Sequence, residues 1–384
     1  MPTQEKASSP IFDFSNTDGW HKDKRPAMTS AKSPAQIRRR MLAGVAVFII
    51  FFIWVTTSFR SSLRPSPAGP RYGGLQRVAK VSMLYGKPNA MYERALKSHA
   101  RHSQKWGHPM HVLRQDISVG FWNKPSYLLS LVIQELAKHP EERVEWLMWV
   151  DADSIILNNN IPAEIFLPPS DLTDIHLVAT KDQNGLNTGI MFLRVHPWTV
   201  TMLTESLGYP LFRPEVDLGR SADQESMALV LKKDTGGPDG NGYKQGVVYI
   251  PRPLINTYEF HHGYEGDKGN LLVHFPGLEA ERWSHMAKWL DIVEATPGAW
   301  ERPLEETDYL TKTNTFWEQV RAATRAVADL EEKIKKMPSD TPAEVKALDE
   351  RKDTVAGLKK ALYENADDSD ELGNLISNAK AFLE

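Results

Sequence analysis

The sequence predicts an α/β fold organised on a mainly parallel sheet, on three observations. Between residues 78 and 292, short apolar runs alternate with amphipathic helical stretches, the rhythm of βαβ units. The run Trp146-Leu-Met-Trp-Val-Asp151-Ala-Asp153 is apolar over strand length and then stops on two alternate carboxylates, as a buried central strand does when it emerges at its carboxyl end. Ligands bind at that edge in open α/β sheets. The 384 residues, 41% hydrophobic and 25% charged, also suffice for one large core with appendages.

Residues 1–40 are rich in Pro, Ser, Lys and Asp without a sustained apolar period, and predict a disordered tail closing on Arg38, Arg39 and Arg40. Residues 41–59 carry no charge over about 19 residues, enough to cross a hydrocarbon core at 1.5 Å per residue. A cleaved signal peptide would need a short leading region, and a buried core helix would leave the arginine triplet unexplained. Lys32 and the triplet outweigh the more dispersed Arg60, Arg64 and Arg71. That bias predicts a single-pass type II anchor with the amino terminus cytosolic and the bulk lumenal. The short span suits early secretory membranes. No Asn-x-Ser/Thr acceptor supports the lumenal reading. Residues 60–77, rich in Pro, Gly and Ser, read as a stem.

In the body, Val78 to Tyr85 reads as the first strand, and Tyr85 and Gly86 at its end would offer backbone to a nucleotide pocket. Met91 to Trp106 is an amphipathic helix, Met110 to Leu113 a strand, and Pro125 to Lys138 a second helix before the acidic strand. Ile175 to Thr180 reads as a strand. Gly185-Leu-Asn187-Thr-Gly189 reads as a tight turn feeding another. Ser221 caps a helix that opens with Asp223, Gln224 and Glu225. Val247 to Pro251 and Leu271 to Phe275 are further strand-like runs, the second carrying His274 before a Pro/Gly turn and a helix through Ile292.

Two carboxylates on one short run repel and raise each other's pKa unless they share a cation, and oxygen ligands favour Mg²⁺ or Mn²⁺. Asp-x-Asp alone says little, since Asp368-Ser-Asp370 repeats it in a polar segment read as solvated surface. Imidazole suits Mn²⁺ as a third ligand, which makes His274 a candidate although such a histidine is more often core or turn. Turn chemistry explains Asn187, and capping explains the acids at 223 and 225 but not Gln224 beside them. His261 and His262 lack helical metal-site spacing and read as a substrate-loop contact. A net charge of −3 leaves no nucleic-acid footprint. Zero cysteines exclude disulfides and thiol catalysis.

The Trp-x-x-Trp-x-Asp151-x-Asp153 strand, Leu-Asn187-Thr-Gly189 with Arg194, Asp223-Gln224 and Val-His274-Phe-x-Gly277, in that order, resemble the fungal galactosyl/mannosyltransferase family. This is glycosyltransferase family 34, which includes plant xyloglucan xylosyltransferases; the resemblance covers roughly residues 78–295. It implies a GT-A fold and a retaining transfer from a metal-bound nucleotide sugar. Asp151, Asp153 and His274 would hold Mn²⁺ or Mg²⁺ with the donor diphosphate, Asn187 and Gly189 would line the sugar pocket, and Gly277 would join the residues that bind the donor. Asp223 and Gln224 would lie beside the anomeric carbon. Plant members carry a Gly-Cys-Lys run after the His-Phe motif, where this chain has Leu278 and Glu279. Neutralising the leaving group then falls to the metal, Lys124 or Arg282.

Beyond residue 312, three stretches rich in Ala, Glu, Lys and Leu read as helices with apolar stripes, a helical hairpin or coiled-coil-like tail. The domains expected are thus a tail (1–40), an anchor (41–59), a stem (60–77), a GT-A body (78–311) and a helical extension (312–384). The function expected is transfer of galactose from UDP-galactose, or mannose from GDP-mannose, to glycans of secreted or wall glycoproteins in the Golgi. The alternatives are a non-catalytic subunit of a Golgi mannosyltransferase complex, docked through the C-terminal helices, and a metal-dependent phosphohydrolase.

Overall fold

Strand β3 (Trp146–Val150) lies inside a six-stranded sheet of order β2-β1-β3-β6-β5-β7. Its companions are β1 (Val78–Met83), β2 (Met110–Leu113), β5 (Leu177–Asp182), β6 (Gly185–Arg194) and β7 (Val247–Tyr249). The computed structural model describes residues 77–238 and 240–383. The tail, the 41–59 anchor and nearly all of the stem lie outside these residues; among those described, no helix is long and apolar enough to cross a membrane.

The sheet is mixed and parallel-rich, three of its five strand pairings being parallel. β1 runs parallel to β2 and β3, and β5 to β7, but β6 is antiparallel to both β3 and β5. The cause is local. β5 and β6 are joined by a tight hairpin in which Asp182 Oδ1 accepts the Asn184 N–H at 2.8 Å and Gly185 adopts φ +95°, a conformation that favours glycine. The turn therefore precedes Leu186. Asn187 and Gly189, read from sequence as turn residues, sit inside strand β6.

Pleating sends alternate side chains to opposite faces. Ala79, Val81, Leu147, Trp149, Met191 and Leu193 face helices α2 (Asn123–Leu136), α3 (Pro197–Phe212) and α4 (Ala222–Leu231) in one buried cluster. Val78, Met148, Val150, Ile190 and Phe192 belong to a second cluster on the other side. Helix α1 (Ala90–Trp106) starts where Asn89 Oδ1 accepts the Met91 and Tyr92 N–H groups and stops at Gly107, φ +74°. It contributes Ala95 to a third cluster with the antiparallel pair β4 (Ser154–Ile156) and β10 (Leu272–His274), the latter preceded by the short strands β8 (Glu259–Phe260) and β9 (Gly263–Tyr264), and with helix α5 (Arg282–Ala295).

The C-terminal helices α6 (Tyr309–Lys335), α7 (Pro342–Glu364) and α8 (Ser369–Leu383) do not stand off as a hairpin. Phe316, Trp317, Val320, Leu358 and Ile376 share the cluster of Val178, Phe192 and Val248. Arg321 grips Asp171 through two hydrogen bonds of 2.6 and 2.8 Å, and Lys181 donates to the Glu364 carbonyl and to Asn365 Oδ1. The apolar stripe is thus spent within the chain. Burial of each such side chain is worth about 1.5–3 kcal/mol, which holds these helices against the sheet.

Candidate metal centre at the carboxyl edge of the sheet

Where β3 ends, the Asp151 N–H donates to the Gly189 carbonyl at 2.8 Å and the Trp149 indole donates to Asp151 Oδ1 at 2.7 Å. The chain then turns, with Ser154 Oγ donating to the Asp151 carbonyl, and enters β4. β10 pairs antiparallel with β4 so that His274 lies opposite Ser154. That register brings Asp151, Asp153 and His274 together, with ligand atoms from all three within 4.8 Å of one another.

A second set of bonds fixes the imidazole. Asn256 donates its amide hydrogens to Thr180 Oγ1 and Asn187 Oδ1, each at 2.9 Å. Its Oδ1 therefore faces His274 Nδ1, 2.8 Å away, as an acceptor. Nδ1 must carry the hydrogen. In the neutral ring Nε2 is then a lone pair, 3.4 Å from Asp153 Oδ1, and a neutral imidazole facing a carboxylate in this way suits a shared cation. The residues fit a divalent ion with mixed oxygen and imidazole ligands.

Gly189 is what lets the ring approach. A Cβ there would lie 2.3 Å from His274 Cε1. Asn187 is buried and structural in its contacts: it accepts from the Gly189 N–H and from Asn256, and donates to Asp182, which also accepts from the Tyr258 hydroxyl.

Lys124, in the first turn of α2, is buried among anions. Its Nζ lies 3.1 Å from Asp151 Oδ1 and 3.9 Å from Asp223 Oδ2, and it donates to the Thr188 carbonyl at 3.2 Å. Burial alone would depress this ammonium, but Asp151 and Asp223 outweigh it and hold the pKa above its ordinary value. Burial pushes the Asp223 carboxyl up against the opposing pull of Lys124, with Asp151 adding to the rise. Gln224 Oε1 accepts the Thr188 N–H at 3.0 Å, which locks α4 onto the middle of β6. On the other side, Arg282 Nη1 is 3.3 Å from Asp153 Oδ2 and 3.1 Å from the Tyr92 hydroxyl. Burial opposes ionisation of Asp153, and the His274 and Arg282 contacts override it, so its carboxyl titrates below the usual range.

The remaining predicted positions are peripheral to the three ligands. Tyr85 donates to the Gly120 carbonyl and accepts from Asn123, tying the end of β1 to the loop ahead of α2; Gly86 is exposed with φ +85°. Gly277, φ +72°, turns the chain after His274. Among the described residues Glu279 is the non-glycine residue with positive φ, +44°, and its exposed carboxylate lies 3.7 Å from the Arg220 guanidinium. His261 pairs with Glu281 at 2.7 Å, on the surface. Sequence reasoning missed Asn256, Thr188, Trp149 and Tyr92. The Trp149-x-Asp151 spacing carried a signal, since residues two apart share a face; Asn256, in an irregular segment, carried none.

Residues 168–284 match the model of the galactosyl transferase GMA12/MNN10 family, a segment that holds Asn187, Gly189, Asp223, Gln224 and His274. The chain is similar to this family over that segment. Asp151 and Asp153 lie ahead of the matched segment. An alpha-1,2-galactosyltransferase of Schizosaccharomyces pombe is 25% identical over 211 residues, 46% of this chain. The aligned region spans 52%, about half, of that relative's length. Among solved structures, a glycosyltransferase involved in glycosylation of the major capsid of PBCV-1 aligns with a TM-score of 0.43 at 18% identity, over 55% of this chain and 99% of that one. Glycosyltransferase GlyE of Streptococcus pneumoniae aligns at 0.33 and 12% identity, over 58% and 64%.

Proposed function

We propose that the body is a GT-A glycosyltransferase that moves a hexose from a nucleotide sugar to a glycan with retention of configuration. The observation that carries this reading is the convergence of Asp151, Asp153 and the lone pair of His274 on one point, at the sheet edge where ligands bind. Those three residues would hold Mn²⁺ or Mg²⁺. When bound, a divalent ion neutralises charge on a leaving diphosphate without proton transfer. Arg282, braced by Tyr92, stands beside Asp153 and adds a second positive charge on the same side. Lys124 is committed to Asp151 and Asp223 and opposes the rise that burial imposes on the Asp223 carboxyl. Asp223 is the carboxylate available to stabilise positive charge at the anomeric carbon or to attack it in a double displacement, and Gln224 braces the strand beside it. The family name and the yeast relative favour galactose over mannose as the sugar transferred.

The uncharged run at 41–59 behind Arg38 to Arg40 supports a type II Golgi protein, with the body from residue 78 lumenal and acting on secreted or wall glycoproteins. Calorimetric titration of the full chain with UDP, then GDP, each with and without Mn²⁺, tests the core of the reading. Metal-dependent binding of one nucleotide, lost in Asp153→Ala, is the expected result. Equal binding with and without metal, or in the variant, would overturn it.

A further inference from the structure

A cavity of about 370 Å³ opens away from the metal centre, between α1, the far end of β4 and the chain that follows α5. Two rulers place it. From Tyr92 to Arg101 along α1 is roughly 13 Å at 1.5 Å per residue. From Asp153 to Leu157 in extended chain is also roughly 13 Å. The near ends of both rulers, Tyr92 and Asp153, are joined through Arg282. The far ends, Arg101 and Leu157, line the cavity.

The lining is chemically mixed. Ile156, Leu157, Val293 and Pro297 give an apolar floor, and Trp300 adds an indole whose angle is fixed by edge contacts to Trp289, 4.7 Å, and Tyr264, 6.0 Å. Gly298, φ +85°, turns the chain after α5 and returns Trp300 and Glu301 to the wall. Polar groups ring this floor. Arg101 is exposed and makes no ion pair among the described residues. Asn159 donates to Glu301 Oε1 at 2.6 Å, while its own Oδ1 is buried with no hydrogen-bond partner among the described residues.

This combination narrows the ligand. A phosphate or other anion would meet the Arg101 guanidinium beside the carboxylates of Glu301 and of Glu294, the latter already bound to Arg94, and a cation would meet Arg101. A wholly apolar ligand would strand the amide and the guanidinium. A neutral polyhydroxylated ring satisfies all of them, its C–H face on the indole and its hydroxyls on planar donors and acceptors. The volume lies within the ordinary range for small-molecule sites.

We propose that this cavity is a second saccharide subsite, which grips a sugar of the acceptor glycan remote from the transfer point; it rests on the transferase reading above. The surface between the two sites fits such a track. Trp283, 38% exposed, stacks at a tilt 5.2 Å from Tyr92 beside the metal centre. Midway, Arg94 pairs with Asp291 and Glu294. Joining two weak contacts on one chain makes the second intramolecular.

The test uses the full chain with α-linked mannose and galactose oligosaccharides of two to six residues, titrated in the presence of Mn²⁺ and UDP. Affinity in at least one series should rise with length by about tenfold or more, as linked sites require. Arg101→Ala, which alters an exposed side chain that makes no ion pair among the described residues, should return the longest ligand to the affinity of the shortest. Trp300→Phe should reproduce part of that loss and abolish a ligand-induced change in indole fluorescence. Length-independent affinity in both series, or a length effect unchanged in Arg101→Ala, would overturn the subsite. Length-dependent binding that persists in a chain without sugar transfer would uphold the subsite and sink the transferase reading alone.

Discussion

Asn256 accepts a hydrogen bond from His274 Nδ1 at 2.8 Å while its amide hydrogens are spent on Thr180 and Asn187. The tautomer of the candidate metal ligand is therefore set by a residue that touches neither carboxylate. Asn256→Ala should free the ring and lower Mn²⁺ affinity by about 10- to 100-fold, the usual cost of removing a partner of a metal-bound histidine. Asn256→Asp keeps the acceptor and should recover part of that affinity. Titration of Mn²⁺ into the variants decides; unchanged affinity in Asn256→Ala would remove His274 from the ligand set.

Gly189 makes a sharper test of the same geometry. A methyl group would meet His274 Cε1 at 2.3 Å, and the imidazole has no free direction because Asn256 holds its other side. Gly189→Ala should cost about 1–3 kcal/mol in stability, typical of overpacking. It should also abolish metal-dependent stabilisation. Thermal unfolding with and without Mn²⁺ reads both effects, and a variant still stabilised by the ion would show that the ring can yield.

Much of the site was legible because its parts are local patterns. Asp151 and Asp153 end an apolar run, and the strand-then-carboxylate order shows through single residues. His274 was legible as the end of a short strand, but its pairing opposite Ser154 was not, because antiparallel register between β4 and β10 depends on contacts far apart in sequence. Asn187 and Gly189 were misplaced because Asn and Gly are turn formers. Here Asn187 serves side-chain bonds and Gly189 a close approach within a strand. The C-terminal helices were visible as amphipathic periods, which report an apolar face and not what covers it.

The covering face is the sheet itself, and truncation should show it. Removing residues 309–384 uncovers Val178, Phe192 and Val248 together with the partners of Arg321 and Lys181. The shortened chain should aggregate or fail to unfold cooperatively, whereas Phe192→Ala in the full chain should cost about 3–5 kcal/mol. Cooperative unfolding of the truncated protein at the full-length midpoint would mean that the helices fold apart from the sheet.

Lys124 supports a prediction in pH. Its raised pKa means that its contribution to stability is fully present below 10.5 and is lost as pH rises through the folded value. Asp223, raised by burial, is restrained mainly by Lys124. Lys124→Met should therefore push the Asp223 carboxyl further up and move the acid limb of the transfer rate to higher pH. Stability should fall by about 3–5 kcal/mol, as when one partner of a buried ion pair is removed. An acid limb that stays in place would show that Asp223 need not be ionised for transfer.

Lys80 gives the converse case, a charge that the fold excludes. It is fully buried on β1 and its Nζ has no hydrogen-bond partner among the described residues. Burial brings its pKa down to about 7, with Glu164 pulling the other way. His99 and His102, facing it from α1, are held well below their ordinary range, first by burial and then by Lys80. Across the layer His108 pairs with Glu164 at 2.7 Å. The unfolded chain binds a proton at Lys80 below pH 10.5 that the folded chain refuses until about pH 7. Stability should therefore decline as pH falls through that window, by several kcal/mol at about 1.4 kcal/mol per pH unit. Below about pH 6.5 the two neutral histidines extend the decline. Lys80→Met fits the same volume without the charge, so it should raise the unfolding midpoint strongly at pH 7 and little at pH 10. A gain independent of pH would mean that packing, and not proton linkage, sets the effect.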